Sequence, residues 1–224
     1  MKNTVQNIVV IGSSGHAKVV IDVIEQEGKY RIAGLIDSYK PADESVFGYK
    51  ILGEEEMLPA LVASGDVSGG FVAIGDNWKR HLVAERIRTL VPGFKFISAV
   101  HPSASIARGV TIGDGSVLMA GVIVNSDSLI GDFCLLNTKA SLDHDSLMGD
   151  FSSLAPNVTT GGNIAIGVFS AVSLGASIIH GLNIGKHAVV GAGAVVLEDI
   201  PDYCVAYGVP AKVVRKRREG DRYL

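Results

Sequence analysis

The chain has 224 residues, enough for one large or two small domains, and its 20 Lys+Arg stand against 23 Asp+Glu for a formal charge of −3. That balance gives no electrostatic ground for binding nucleic acid. No apolar run nears the length of a membrane span, no signal peptide opens the sequence, and the cysteines Cys134 and Cys204 make neither a disulfide framework nor a zinc pattern, so a cytoplasmic protein without metal or membrane insertion is expected.

Residues 1–97 alternate strand and helix patterns. Asn7 to Ile11 reads as a short buried strand, Gly12-Ser13-Ser14-Gly15 as a turn, and His16 to Glu27 as a helix with Val19, Val20, Val23 and Ile24 on one face. A strand at Ile32 to Ile36 ends in Asp37, another lies near Phe71 to Ile74, and a helix follows from about Lys79 to Leu90. Strand, helix, strand order implies a small parallel sheet covered by helices. Ligands of such sheets bind beyond the carboxyl ends of the strands, where a helix N-terminus can hold phosphate. Gly12 to Gly15, Asp37 and Gly75-Asp76-Asn77 would therefore face one crevice suited to a nucleotide. The G-x-G-x-x-G fingerprint is incomplete, which disfavours NAD.

From Ile106 to Val196 an aliphatic residue returns every six positions, with Thr160 as the exception. A helix of 3.6 residues per turn would sweep such a row around its surface, whereas a triangular parallel β-helix keeps it pointing inward. Four residues later comes a small or apolar residue, among them Cys134, expected to pack inside. Gly113, Gly131, Gly149, Gly167, Gly185 and Gly191, each just after an inward position, are expected to turn corners at positive φ. The β-helix domain is expected over 98–207. A C-terminal tail over 208–224 carries Lys212, Arg215, Lys216, Arg217, Arg218 and Arg222, either to meet phosphate or as a solvated end.

His81 falls in a helix and His101-Pro102 at the β-helix entry, while His144, His180 and His187 take outward positions of the repeat. His144 alone sits between two carboxylates, Asp143 and Asp145, with Asn137 near it in sequence. A solvent-facing imidazole oriented by a carboxylate is suited to general-base work. No serine or cysteine nucleophile has a matching base, so direct attack of an acceptor on an acyl donor is the expected chemistry, with backbone amides near Gly161 and Gly162 polarising the carbonyl. A non-catalytic scaffold is the alternative of another class.

Gly12-Ser-Ser-Gly-His-Ala-Lys-Val-Val20, Asn137-Thr, Asp143-His144-Asp145 and Gly208-Val-Pro-Ala-Lys212 together resemble the sugar O-acyltransferase family, which includes sialic-acid O-acetyltransferases and nucleotide-4-amino-sugar N-acetyltransferases of the bacillosamine and perosamine kind. The resemblance spans essentially the whole chain. It implies a Rossmann-like nucleotide-sugar domain followed by a left-handed β-helix, a homotrimer with active sites between subunits, and acetyl-CoA as donor. It further implies N-acetylation of a UDP-4-amino-4,6-dideoxy sugar in glycan biosynthesis, with sugar O-acetylation as the alternative. On this resemblance His144 is the base, Asp145 raises its basicity and Asn137 positions sugar or imidazole. Gly12, Ser13, Ser14, Gly15, His16, Asp37, Gly75, Asp76 and Asn77 hold the nucleotide sugar. Ser153, Gly162, Leu174, Ala192 and Lys212 meet acetyl-CoA. Ser153 stands where bacillosamine-type relatives can carry a second histidine.

Overall fold

The computed structural model describes residues 5–223. Two compact units divide the chain: one runs up to Gly75 and resumes over Lys79–Pro102, and the other holds Asp76–Trp78 with everything from Ser103 onward.

The first unit is built on a sheet of order β3-β4-β2-β1-β5, from β1 (Gln6–Ile11), β2 (Tyr30–Ile36), β3 (Ser45–Val46), β4 (Tyr49–Gly53) and β5 (Gly70–Val72). All neighbours pair in parallel except β3 and β4. The continuous apolar run Ile8–Ile11 is buried because β1 lies inside the sheet, between β2 and β5. Helix α1 (Gly15–Glu27) buries Ala17, Val20, Ile21, Val23 and Ile24 and ends at Gly28 in the left-handed region. Val19, expected on that face, is instead exposed, one step around the helix from Val20. The β3–β4 hairpin was not foreseen, because its turn residues Phe47 and Gly48, both at positive φ, lack the usual Asn-Gly signal. Helices α2 (Leu58–Ala63) and α3 (Asn77–Leu90) complete the set. Among the described residues no helix is long and apolar enough to cross a membrane.

In the second unit, two-residue strands recur every six residues from Ser105–Ile106 to Val195–Val196 and stack into three parallel sheets, the sides of a left-handed β-helix. Residues eighteen apart are in register, as Val124 with Leu142 and Leu136 with Leu154, so three hexads make one coil. The second residue of each strand is the inward one, buried from Leu118 through Val196. Each such side chain stacks on its equivalents above and below, giving a continuous apolar column as in other solenoids. Thr160 is accommodated in this column because its Oγ1 accepts from Asp143 N at 3.1 Å.

Two expectations about the corners are corrected. Gly113, Gly131, Gly149, Gly167, Gly185 and Gly191 do not adopt positive φ; that conformation falls two residues later, on Gly115, Phe133, Phe151, Phe169, His187 and Gly193. The glycines are needed for close approach of successive coils: a Cβ on Gly167 would lie 2.5 Å from Lys186 N, and one on Gly113 2.3 Å from Asp132 Oδ1. His187 is not outward either. It is buried within an aromatic ladder along one corner, stacked between Phe169 (4.6 Å) and Tyr203 (4.9 Å), above Phe151 and Phe133. Burial holds its pKa below the ordinary value. Beyond residue 203 the hexads give way to Cys204–Gly208, which continues one side in parallel with Val189–Val190, and Ala211–Lys216, which pairs back antiparallel. Lys212, Arg215 and Lys216 of the basic C-terminal stretch thus lie in a strand, and Arg217, Arg218 and Arg222 follow it.

Candidate functional site

In the first unit the strand ends converge as the sequence suggested. Gly12 adopts φ 104°, and a Cβ there would lie 3.0 Å from Ala73 O, so only glycine lets β1 turn into α1 against β5. Ser13 Oγ donates to Asp37 Oδ2 at 2.6 Å, tying the turn to the end of β2, and Tyr39 N donates to Asp37 Oδ1 at 2.8 Å. The third strand end is held by the fully buried Arg80, whose Nη1 donates to Ile74 O (2.8 Å) and Gly75 O (3.2 Å).

Two cavities open here and share Ser13 and Ser14. One, about 350 Å³, is lined by Gly15, Lys18 and Lys40 at the N-terminus of α1, where no side chain caps the helix amides. The other, about 440 Å³, is lined by Gly12, Asp37, Tyr39, Glu55, Gly75 and Lys79 among others. Lys18, Lys40 and Glu55 line these cavities without having been singled out as site residues from the sequence. Glu54-Glu55-Glu56 reads as a solvated acidic run, but a 3-10 turn (Glu55–Met57) directs Glu55 inward, where Ser38 Oγ donates to it, while Glu56 pairs with Arg86 at the surface.

Neither His16 nor Asn77 is among the residues that line these two cavities. His16, in the first turn of α1, has Nε2 buried and unpartnered; burial, then the charge of Arg80, pushes its pKa down to about 4. Asn77 is buried in the second unit, its amide donating to Ser153 Oγ (3.2 Å) and Ser170 O (3.1 Å), while its backbone N–H donates to Tyr223 Oη at 2.9 Å. Asp76 falls in that unit too.

In the second unit His144 projects from a corner into solvent. Asp145 is at φ 55°, and this left-handed turn brings its carboxylate back to His144, Oδ2 to Nδ1 at 2.7 Å. Asp143 Oδ1 accepts from His144 N (2.8 Å) and Asn125 Nδ2 (2.6 Å). The hydrogen bond to Asp145, and then the charge of Asp143, raise the His144 pKa above its ordinary value of 6.5. With the Nδ1 proton directed at Asp145, Nε2 is left as the acceptor. Gly162 lies one coil on; a Cβ there would sit 2.6 Å from His144 Nε2 and Cε1, so the ring rests on bare backbone.

Asn137 precedes His144 on the chain but belongs to another corner, because each hexad spans one side; its Oδ1 accepts from Thr138 N at 2.9 Å. Leu174 and Ala192, both exposed, stack two coils and three coils above Thr138 on that same corner. Lys212 pairs with Glu198 at the surface, 3.4 Å apart. Among the described residues no cluster of His, Cys, Asp and Glu of metal-site size is found.

Residues 7–87 match the PglD N-terminal domain. In structure the chain is similar to PerB from Caulobacter crescentus in complex with CoA and GDP-perosamine, at 40% identity and TM-score 0.87 over 95% of this chain and 99% of that one. It belongs to the hexapeptide-repeat acetyltransferases of nucleotide-linked amino sugars. The acetyltransferase domain of PglB from Neisseria gonorrhoeae, in complex with acetyl coenzyme A, is a further member of this family, 33% identical with a TM-score of 0.85 over 94% of this chain and 100% of that one. A curated relative is the UDP-N-acetylbacillosamine N-acetyltransferase of Bacillus subtilis, 32% identical over 121 residues. That match spans 51% of this chain and about half of the relative, 52%.

Proposed function

We propose that the protein transfers the acetyl group of acetyl-CoA to the 4-amino group of a nucleotide-linked amino-deoxy sugar, with His144 as general base. The observation that carries this reading is the exposed His144–Asp145 couple, 2.7 Å apart, with Nε2 open above Gly162. The amine nitrogen bonds to the thioester carbonyl carbon as His144 Nε2 takes its proton. Collapse of the tetrahedral adduct breaks the C–S bond, and the imidazolium returns the proton to the departing thiolate. Asp145, with Asp143, favours the imidazolium formed midway.

The sugar nucleotide is bound by the first unit, its diphosphate on the uncapped amides of α1 with Lys18 and Lys40 beside them. Acetyl-CoA runs along the coil. Gly162 and Leu174–Ala192 lie at different corners, so one chain does not gather the donor residues into a single groove. A homotrimer, in which a second copy's corner faces His144, supplies the missing wall. Exposed apolar residues in register, Leu129 with Leu147 and Ile179 with Leu197, are surface that such a copy would cover. In that groove Asn137, Ser153 and Lys212 remain candidates for contacts to sugar or donor.

Release of free thiol from acetyl-CoA, measured over a panel of nucleotide-linked 4-amino sugars and their hydroxyl counterparts, tests the reading. Amine-dependent release that falls by roughly two to four orders of magnitude in His144→Ala is expected. Release with the hydroxyl sugars alone would establish the O-acetyl alternative, and release unchanged in His144→Ala would remove the histidine from the mechanism.

A further inference from the structure

The two cavities of the first unit differ in charge. The one at the α1 N-terminus presents Lys18 and Lys40 and no carboxylate, whereas its neighbour presents the carboxylates of Asp37 and Glu55 with the single ammonium of Lys79. Glu55 is only 6% exposed. Its Oε2 is engaged by Ser38 Oγ, no other hydrogen bond to the carboxylate is formed among the described residues, and the residue lines the cavity. A carboxylate so largely enclosed, with one hydrogen bond made, has acceptor capacity left for a donor that a ligand brings into the cavity. Asp37 already has both oxygens engaged, by Ser13 and Tyr39, and sits at the end of β2, where ribose hydroxyls are read in sheets of this kind.

We infer that Glu55 reads the base of the nucleotide and selects guanine. This rests on the reading that the first unit holds a nucleoside diphosphate. Guanine carries two adjacent donors on one edge, N1–H and the 2-amino group, which meet a carboxylate as a fork. Uracil and thymine offer one N–H between two carbonyl oxygens, and those oxygens would be set against Glu55 and Asp37. The cavity walls suit a flat base, with Ile36, Ala73 and Leu82 apolar and Tyr39, 98% exposed, at the rim as a stacking surface. The balance of charge follows the ligand: two ammonium groups beside the diphosphate, two carboxylates against one ammonium beside the donor-rich nucleoside.

Calorimetric titration of the intact protein with GDP, UDP and dTDP at one ionic strength tests this. GDP should bind about tenfold or more tighter than either pyrimidine nucleotide, since a site built for a donor rejects analogues that lack it. In Glu55→Gln the amide oxygen can keep the bond from Ser38, and the preference for GDP should collapse through weaker GDP binding with UDP little changed. Thermal unfolding of the variant shows whether it is folded, and the wild-type ratio stands without it. UDP or dTDP binding as tightly as GDP would overturn the inference and leave nucleotide binding intact, as would an undiminished GDP preference in a folded Glu55→Gln. Binding of no nucleoside diphosphate would overturn both.

Discussion

His144 Nδ1 lies 2.7 Å from Asp145 Oδ2, a close contact between side chains of consecutive residues that an extended strand would send to opposite faces. The left-handed φ of Asp145 makes the contact possible, and with Asp143 it raises the imidazole pKa above 6.5. Because the free base is the working form, acetyl transfer should fall with acid along a limb centred above 6.5. Asp145→Asn removes the largest contribution, so its limb should move to lower pH while its plateau drops. A kcat/KM profile for the two proteins decides; limbs at the same pH would show that Asp145 does not tune the base.

Gly162→Ala places a methyl where the imidazole now rests, 2.6 Å from Nε2 and Cε1. The backbone there does not require glycine, since φ is not positive, and the ring is exposed and can swing away. The expected outcome is a turnover lowered about 10- to 100-fold, the usual effect of displacing a catalytic group by an ångström or so, with the thermal midpoint unmoved. A variant of full activity would mean that the present ring position is not the reactive one.

His16 should make the protein sensitive to acid. Its folded pKa is about 4, below the ordinary 6.5, so between those values the unfolded chain takes a proton that the folded chain refuses. The sign is therefore loss of stability as pH falls from 6.5 toward 4, by up to roughly 3 kcal/mol, and no effect of this group above pH 7. Urea unfolding of the wild type and His16→Gln across that range should give a shallower pH dependence for the variant. Parallel curves would place the acid sensitivity elsewhere, His187 being the next candidate because it too is held neutral by burial.

Much of this molecule is written locally. The six-residue spacing of aliphatic residues from Ile106 to Val196 is enough to identify a coil of flat sides, because each inward residue is chosen by its own stretch of chain. Asp143-His144-Asp145 stands out for the same reason: its three polar groups are neighbours by sequence and by structure. Gly12 and Asp37 were legible as strand ends facing one crevice. Contacts between distant segments were not. Gly113 and its equivalents are glycines because the next coil passes within 3 Å of where a Cβ would be, a fact about stacking that no single hexad contains. His187 is enclosed by Phe169, one coil before it, and by Tyr203, which arrives after the repeat has lost its register. Glu55 in an acidic run and Asn77 two residues after Gly75 give no local sign of their partners until tertiary packing supplies Ser38 for one and Ser153 with Ser170 O for the other. Periodicity records which way a side chain points from its own backbone; what it meets there depends on chain tens of residues away, and only the folded structure brings that chain alongside.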